Sequence, residues 1–194
     1  MSKLRQTLRD ARAALPAATV AAHSRAIARR LWKEPYLARC RDIACYWAVD
    51  GEVDCTPFIE EAWSRGRRIW LPVIHGEALV FARWAPGVAL VANRYGIAEP
   101  DAGAGICRRA HRIDVVLAPL VAFDARGTRL GMGGGFYDRS LRGLAYRGTW
   151  RRPRVIGLAH SLQQVAHLPR SAWDIPLDAV VTERSTHRFM KGDR

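Results

Sequence analysis

No apolar run in the sequence approaches the ~20 residues that a membrane-spanning helix needs, which excludes a helical membrane protein. The basic, amphipathic first residues lack an uncharged hydrophobic core and a cleavage site, so no secretory signal is read and the cytoplasm is expected. Cysteine is scarce: Cys40, Cys45, Cys55 and Cys107 form no C-x-x-C pair, and no histidine is placed to complete a zinc site with them. Reduced, mostly buried thiols are expected. Acidic residues are short of basic ones, 18 against 31, giving a net charge of +13. The arginines are scattered in groups such as Arg65/Arg67/Arg68, Arg108/Arg109/Arg112, Arg142/Arg147/Arg151/Arg152/Arg154 and Arg184/Arg188. No DNA- or RNA-binding signature accompanies them. A surface that attracts small anions is the preferred reading, with no specific nucleic acid and no membrane as partner. Internal repeats and low-complexity segments are absent.

What is present is a globular composition, 49% hydrophobic and 25% charged, over 194 residues. That length predicts a single domain spanning 1–194. Residues 2–31 read as helix, with Leu4, Leu8, Ala11 and Leu15 as an apolar stripe beside Arg5, Arg9 and Arg12, and a break at Pro16. Those arginines are read as a solvated helix face. A short apolar run over 42–48 predicts a first buried strand, Thr56–Ser64 an amphipathic helix, and 67–73 a second strand. A strand–helix–strand unit of this kind implies parallel pairing with a right-handed crossover. Residues 79–84 suggest an antiparallel edge strand, and 85–112 read as loops rich in glycine and proline, with a tight turn at 96–100. Further strands are expected over 113–118, 154–159 and 179–182, and the tail from Ser185 is expected to fray.

Five glycines are concentrated in the thirteen residues from Gly127 to Arg139. An apolar strand precedes them, and Phe136, Ser140, Leu141 and Leu144 follow at helical spacing. Glycine lets the backbone approach a bulky anion and adopt positive φ. A helix start then directs free N–H groups and the positive end of its dipole at the loop. Phosphate is the natural occupant, although the pattern is neither a P-loop nor a Rossmann fingerprint, and glycine spacing alone also suits a purely structural turn. Asp138 at the helix start suits dipole compensation or, beside phosphates, a magnesium ion.

The stretch Arg129-Leu130-Gly131-Met132-Gly133-Gly134-Gly135-Phe136-Tyr137-Asp138-Arg139 resembles the R-L-G-x-G-x-G-Y-Y-D-R signature of the 5-formyltetrahydrofolate cyclo-ligase (methenyltetrahydrofolate synthetase) family. Leu4-Arg5 with Arg12 and Leu15, the segment Tyr46 to Cys55, the turn Gly96 to Pro100, the strand Asp114 to Asp124 and the closing Trp173 to Glu183 resemble further family segments, in family order. The resemblance implies an enzyme that uses ATP to convert 5-formyltetrahydrofolate to 5,10-methenyltetrahydrofolate, releasing ADP and phosphate. It implies that Lys3, Arg5, Arg129, Leu130, Gly131, Met132, Gly133, Gly134, Gly135, Phe136 and Tyr137 bind ATP, with Arg129 and Tyr137 catalytic. Trp47 and Glu52 fall on folate-binding positions, and Asp138 and Asp174 on Mg²⁺ ligands. Trp47 offers an apolar wall to the pterin and Glu52 an acceptor for its N–H groups.

The chain departs from the family pattern at four places. Met1 stands where the family has lysine, with Lys3 as a shifted substitute; Met132 stands where many members have arginine; Phe136 replaces tyrosine and Cys55 replaces threonine. The expected fold is a single α/β domain, a Rossmann-like three-layer sandwich whose mainly parallel, mixed sheet carries helices on both faces. A monomer is expected. Other readings remain open from the sequence: a different small-molecule phosphotransfer enzyme, a basic RNA-binding module, or a folate-binding protein without catalysis.

Overall fold

The computed structural model describes residues 1–101, 106–145, 153–171 and 173–189, without the side chains of 143–145. Helix α1 (Ser2–Ala13) and helix α2 (Ala17–Leu31) are separated at Pro16, whose ring and missing N–H exclude it from a helix interior. Strand β1 (Asp42–Ala44) leads through α3 (Thr56–Ser64) to β2 (Arg68–His75), parallel to β1 with Ile43 opposite Ile69. Then follow β3 (Ala78–Trp84), β4 (Leu90–Ala92), β5 (Ala98–Pro100), β6 (Cys107–Arg108), β7 (Val115–Pro119), β8 (Ala122–Phe123) and β9 (Arg129–Leu130). Helix α4 (Phe136–Ala145) leads to β10 (Arg154–Leu158), β11 (Ala179–Val181) and β12 (Thr186–Arg188).

The main sheet has eight strands in the order β12-β11-β10-β7-β1-β2-β3-β6. The run from β11 to β2 is parallel; β12, β3 and β6 extend it antiparallel at either side. Successive side chains on a strand point to opposite faces, and the core divides accordingly. Ile43, Ile69, Val115, Leu117 and Ile156 pack with Ile27, Leu31, Phe58 and Ala62 of α2 and α3. Ala44, Trp70, Val116, Ala118 and Val155 pack on the other face with Leu141 of α4. This is the expected mainly parallel α/β architecture with helices on both faces. Leu4 and Leu8 dock α1 against a smaller cluster of Val121, Ala122, Leu130 and Leu168.

Several expectations need correction. The first strand stops at Ala44, because the chain turns away to form a loop held by the Tyr46 hydroxyl donating to the Val53 carbonyl at 2.9 Å. Strand β3 is not an edge, since β6 pairs beyond it, and the stretch 85–112 is not all loop, since β4 and β5 form a hairpin. The strand expected over 113–118 is β7, but the chain beyond it adds β8, which pairs with β9 outside the main sheet. The tail expected to fray from Ser185 is instead ordered by β12, whose Arg188 forks onto the buried carboxylate of Glu34 at 3.2 and 2.7 Å. Residues 190–194 of that tail, and Gly103, Gly105, Arg147, Arg151 and Arg152, lie outside the described residues.

Part of the positive charge is structural. Arg68 and Arg108 converge on Asp42 at 2.5 and 2.9 Å, and Arg126 holds the fully buried Asp124 at 3.1 Å. All four cysteines are free; Cys40, Cys45 and Cys55 are buried and Cys107 is exposed. No helix among the described residues is long and apolar enough to cross a membrane.

Candidate functional site

In open parallel sheets, ligands bind beyond the carboxyl ends of the strands. Two neighbouring strands, β1 and β7, release the functional segments at that end. The chain leaving β7 forms the β8–β9 hairpin and then the glycine loop. Within the loop Gly133 and Gly135 have φ of +105° and +64°, conformations that cost any residue with a Cβ. The β8–β9 hairpin and the start of α4 hold the loop open at its two ends. Met132, Gly133 and Gly134 are exposed, whereas the Leu130 side chain is buried against Leu4 and Leu8. Leu130 can therefore serve a ligand only through its main chain.

Arginines frame this cradle. The Arg5 Nε donates to the Gly131 carbonyl at 2.9 Å, and its guanidinium carbon lies 3.7 Å from where a Cβ on Gly133 would sit. Arg129 donates to the Ile175 carbonyl and to Asp138 Oδ1, the latter at 2.5 Å. Arg139 bridges the loop to the turn before β3, donating to the carbonyls of Glu77 and, within the loop, Gly134 at 2.5 and 2.6 Å. Phe136 packs edge-on against Tyr95 from the β4–β5 hairpin. Lys3 is exposed on the first turn of α1 and, among the described residues, bonds nothing in the loop.

The chain leaving β1 builds a cleft of about 360 Å³ lined by Trp47, Asp50, Gly51, Glu52, Cys55 and Ile59, among others. Trp47 is 39% exposed and stands edge-on to Trp84 at 5.8 Å, which in turn packs on Trp63. One aromatic face is thus supported from behind and open in front. Asp50 and Gly51 adopt φ of +49° and +71°. This tight turn presses against α1, and a Cβ on Gly51 would come within 2.7 Å of the Arg12 carbonyl oxygen.

Glu52 is not a solvated loop carboxylate. It is 7% exposed, accepts from the Val49 N–H at 3.3 Å and pairs with Arg12 at 3.3 Å. Burial pushes its carboxyl above the usual range, and Arg12 offsets only part of that. Arg12 is the residue that sequence reasoning missed. Placed there on a solvated face, it is 1% exposed, and it donates to the Asp50 carbonyl at 3.0 Å and the Leu120 carbonyl at 3.3 Å. Its remaining terminal nitrogen, Nη2, is buried without a partner. A signal was available: Arg5 and Arg12 lie seven residues apart, hence on one helix face, the face that Leu8 shares.

Tyr137 follows the cradle in the first turn of α4. Its hydroxyl is buried and, among the described residues, has no hydrogen-bond partner. Burial, then the charges of Glu52 and Cys55, drive its phenol above the usual range against the opposing pull of Arg129. It therefore stays protonated and can act only as a hydrogen-bond donor or acceptor, not as a phenolate.

The two aspartates are brought near each other through the main chain. The Ile175 N–H donates to Asp138 Oδ1 at 3.1 Å, so the Asp138 carboxylate abuts the residue after Asp174. Asp174 Oδ2 accepts from the Ser171 N–H at 2.8 Å. Both bonds to Asp138 fall on Oδ1; Oδ2 carries neither.

Comparison with known proteins agrees with this arrangement. The model of the 5-formyltetrahydrofolate cyclo-ligase family matches residues 1–183. The 5-formyltetrahydrofolate cyclo-ligase of Escherichia coli (strain K12) is 42% identical over 158 residues, covering 80% of this chain and 85% of that protein. That of Mycolicibacterium smegmatis is 28% identical over 189 residues, covering 94% and 93%. Among solved structures, 5,10-methenyltetrahydrofolate synthetase of Aquifex aeolicus superposes with a TM-score of 0.80 at 32% identity, covering 98% of this chain and 93% of that one. The Mycoplasma pneumoniae 5,10-methenyltetrahydrofolate synthetase gives 0.73 at 25% identity, covering 94% and 98%. Family model, relatives and fold agree, and the chain belongs to the 5-formyltetrahydrofolate cyclo-ligase family.

Proposed function

We propose that the protein converts 5-formyltetrahydrofolate and ATP to 5,10-methenyltetrahydrofolate, ADP and phosphate, with ATP in the glycine cradle and the folate in the neighbouring cleft. The observation that carries this reading is the junction of the two cavities. Strands β7 and β1 are hydrogen-bonded neighbours, and Arg12 joins the segments that leave them by donating to the Asp50 and Leu120 carbonyls. A donor and an acceptor of a phosphoryl group need that adjacency.

A formamide oxygen is a poor leaving group, so it must be activated before ring closure. In the proposed sequence the formyl oxygen attacks the γ-phosphorus and ADP departs, which gives an iminium phosphate. N10 then adds to the formyl carbon, and the C–O bond breaks to release phosphate. The protein's task is positioning and charge neutralisation. The main chain from Leu130 to Gly135 and the Phe136 and Tyr137 N–H groups at the start of α4 receive the phosphates. Arg5 and Arg129 supply positive charge, Lys3 reaches the outer phosphates from the surface, and Met132 adds contact without charge. The neutral Tyr137 hydroxyl donates to an oxygen passing between the sites. The pterin stacks against Trp47, and Glu52 accepts from its N–H groups, its charge balanced by Arg12.

The residues also fit a magnesium ion. Mg²⁺ takes hard oxygen ligands and is held by one or two carboxylates plus phosphates. Asp138, with Oδ2 clear of Arg129, and Asp174, in the adjoining segment, would hold it. Such an ion supplies neutralisation of phosphate charge when bound. The proposal extends to a cytoplasmic monomer: the four free thiols support a reducing compartment, and light scattering after size exclusion checks the mass.

The test is a coupled measurement of methenyl absorbance and ADP release from purified protein with 5-formyltetrahydrofolate and MgATP. Equal molar appearance of both products is expected. ADP release that ignores the folate would point instead to a different phosphoryl acceptor.

A further inference from the structure

We propose that His23, His160 and Glu183 form a binding site for a divalent transition metal, zinc above all, separate from the glycine cradle. The three come from different elements: His23 from α2, His160 from the turn after β10, and Glu183 from the residue pair after β11. Their ligand atoms all lie within 4.8 Å of one another. The two Nδ1 atoms are 2.9 Å apart, and His23 Nδ1 is 3.9 Å from Glu183 Oε2.

The surroundings orient each ligand. His160 is fully buried, and its Nε2 lies 3.0 Å from the Gly51 carbonyl oxygen. A carbonyl can only accept, so Nε2 carries the proton and Nδ1 is the acceptor, shared between His23 and the Gln163 N–H that it caps; a metal at Nδ1 takes the place of both. An imidazole whose second nitrogen donates to a carbonyl is the usual support of a metal-binding histidine. Burial also favours the neutral ring in His160. Glu183 is fixed by the Ser161 N–H, 2.9 Å from Oε2, and by the Ser161 hydroxyl on Oε1. Burial pushes its carboxyl up, but these bonds outweigh it and keep it ionised. The His23 side chain is 25% exposed, which gives a path from solvent and room for a water as fourth ligand.

Without a metal, the two Nδ1 atoms can sit this close only if His23 places its own proton between them. A metal replaces that proton. Tetrahedral ligation at the usual zinc–nitrogen distance sets the nitrogens about 3.3 Å apart, so the pair opens by a few tenths of an ångström as the partly exposed His23 ring shifts, while Glu183 keeps its hold on Ser161. Two imidazoles and one carboxylate select zinc, cobalt or nickel over magnesium, which prefers oxygen throughout. The site does not depend on the folate reading.

The experiment is a cobalt(II) titration of chelator-treated full-length protein without ATP, folate or magnesium, followed through the visible bands of four-coordinate cobalt, with zinc as competitor. One cobalt per chain, displaced by one zinc, is expected. His23→Ala places a strong helix former on α2 and weakens binding by about 100-fold or more; Glu183→Gln weakens it without changing side-chain size, and Cys107→Ser leaves it unchanged. Absence of the bands overturns the proposal. So does wild-type affinity in His23→Ala or in Glu183→Gln, or a signal that vanishes with Cys107→Ser.

Discussion

Replacing Arg12 with alanine probes the junction of cradle and cleft. The guanidinium donates to the carbonyls of Asp50 and Leu120 and pairs with Glu52, whose side chain is only 6% exposed. Truncation strands that carboxylate, and removing one partner of a buried ion pair costs about 3–5 kcal/mol. The cleft adjoins solvent, so water entering the void offsets part of the loss and the lower end, about 3 kcal/mol, applies. With a urea slope of about 2 kcal/mol/M the denaturation midpoint falls by about 1.5 M. The variant still folds, because a domain is stable by about 5–15 kcal/mol. The effect also has a pH signature. Glu52 titrates higher in the folded protein than in the unfolded chain, burial being the main cause. Its contribution to stability is therefore full below the unfolded carboxyl pKa and is lost as pH rises through the raised folded value. Without Arg12 that window widens upward. Compared with Arg12→Ala/Glu52→Gln, the single variant should lose midpoint steadily as pH rises above the ordinary carboxyl range. A midpoint drop below about 0.3 M, or a gap to the double variant that ignores pH, would refute the reasoning.

Three other outcomes follow from the same geometry. Gly51→Ala forces a Cβ to 2.7 Å from a helix carbonyl at φ +71°, so calorimetry should show a loss of about 1–3 kcal/mol, with weakened folate binding. Asp138→Ala removes the carboxylate that Arg129 and the Ile175 N–H hold; turnover should fall about 100-fold or more while circular dichroism stays unchanged, and undiminished turnover would remove Asp138 from the site. Trp47→Ala deletes a half-exposed ring that stands edge-on to Trp84; the folate KM should rise about 10-fold with little change in the KM for ATP.

The glycine cradle was legible in the sequence because so many glycines in so short a span have few physical uses, and helical spacing resumes at once after them. The parallel core was legible for a similar reason, since short apolar runs alternate with amphipathic helices. Arg12 and Glu52 were not. Local pattern gave a basic helix face and a polar loop, whereas burial of the pair depends on α1 lying across the turn at Asp50–Gly51, a contact between segments about forty residues apart. Strand β12 escaped for want of apolar residues: Thr186, His187 and Arg188 pair through their backbones at an edge where polar side chains are tolerated. Asp174 was legible only through family resemblance; in the fold its carboxylate holds the Ser171 N–H. The His23–His160 contact joins residues 137 positions apart, a separation that no spacing rule covers.

The Arg5–Gly131 bond spans 126 residues and the Arg12–Leu120 bond spans 108. Closing such long loops is entropically slow compared with forming a helix or a hairpin. During refolding the tryptophans around β2 and β3 should reach their final fluorescence first, in a species whose glycine loop still lacks the bond from Arg5. On the ribosome the opening helix must likewise wait until more than half of the polypeptide has emerged before it can clasp the loop it serves.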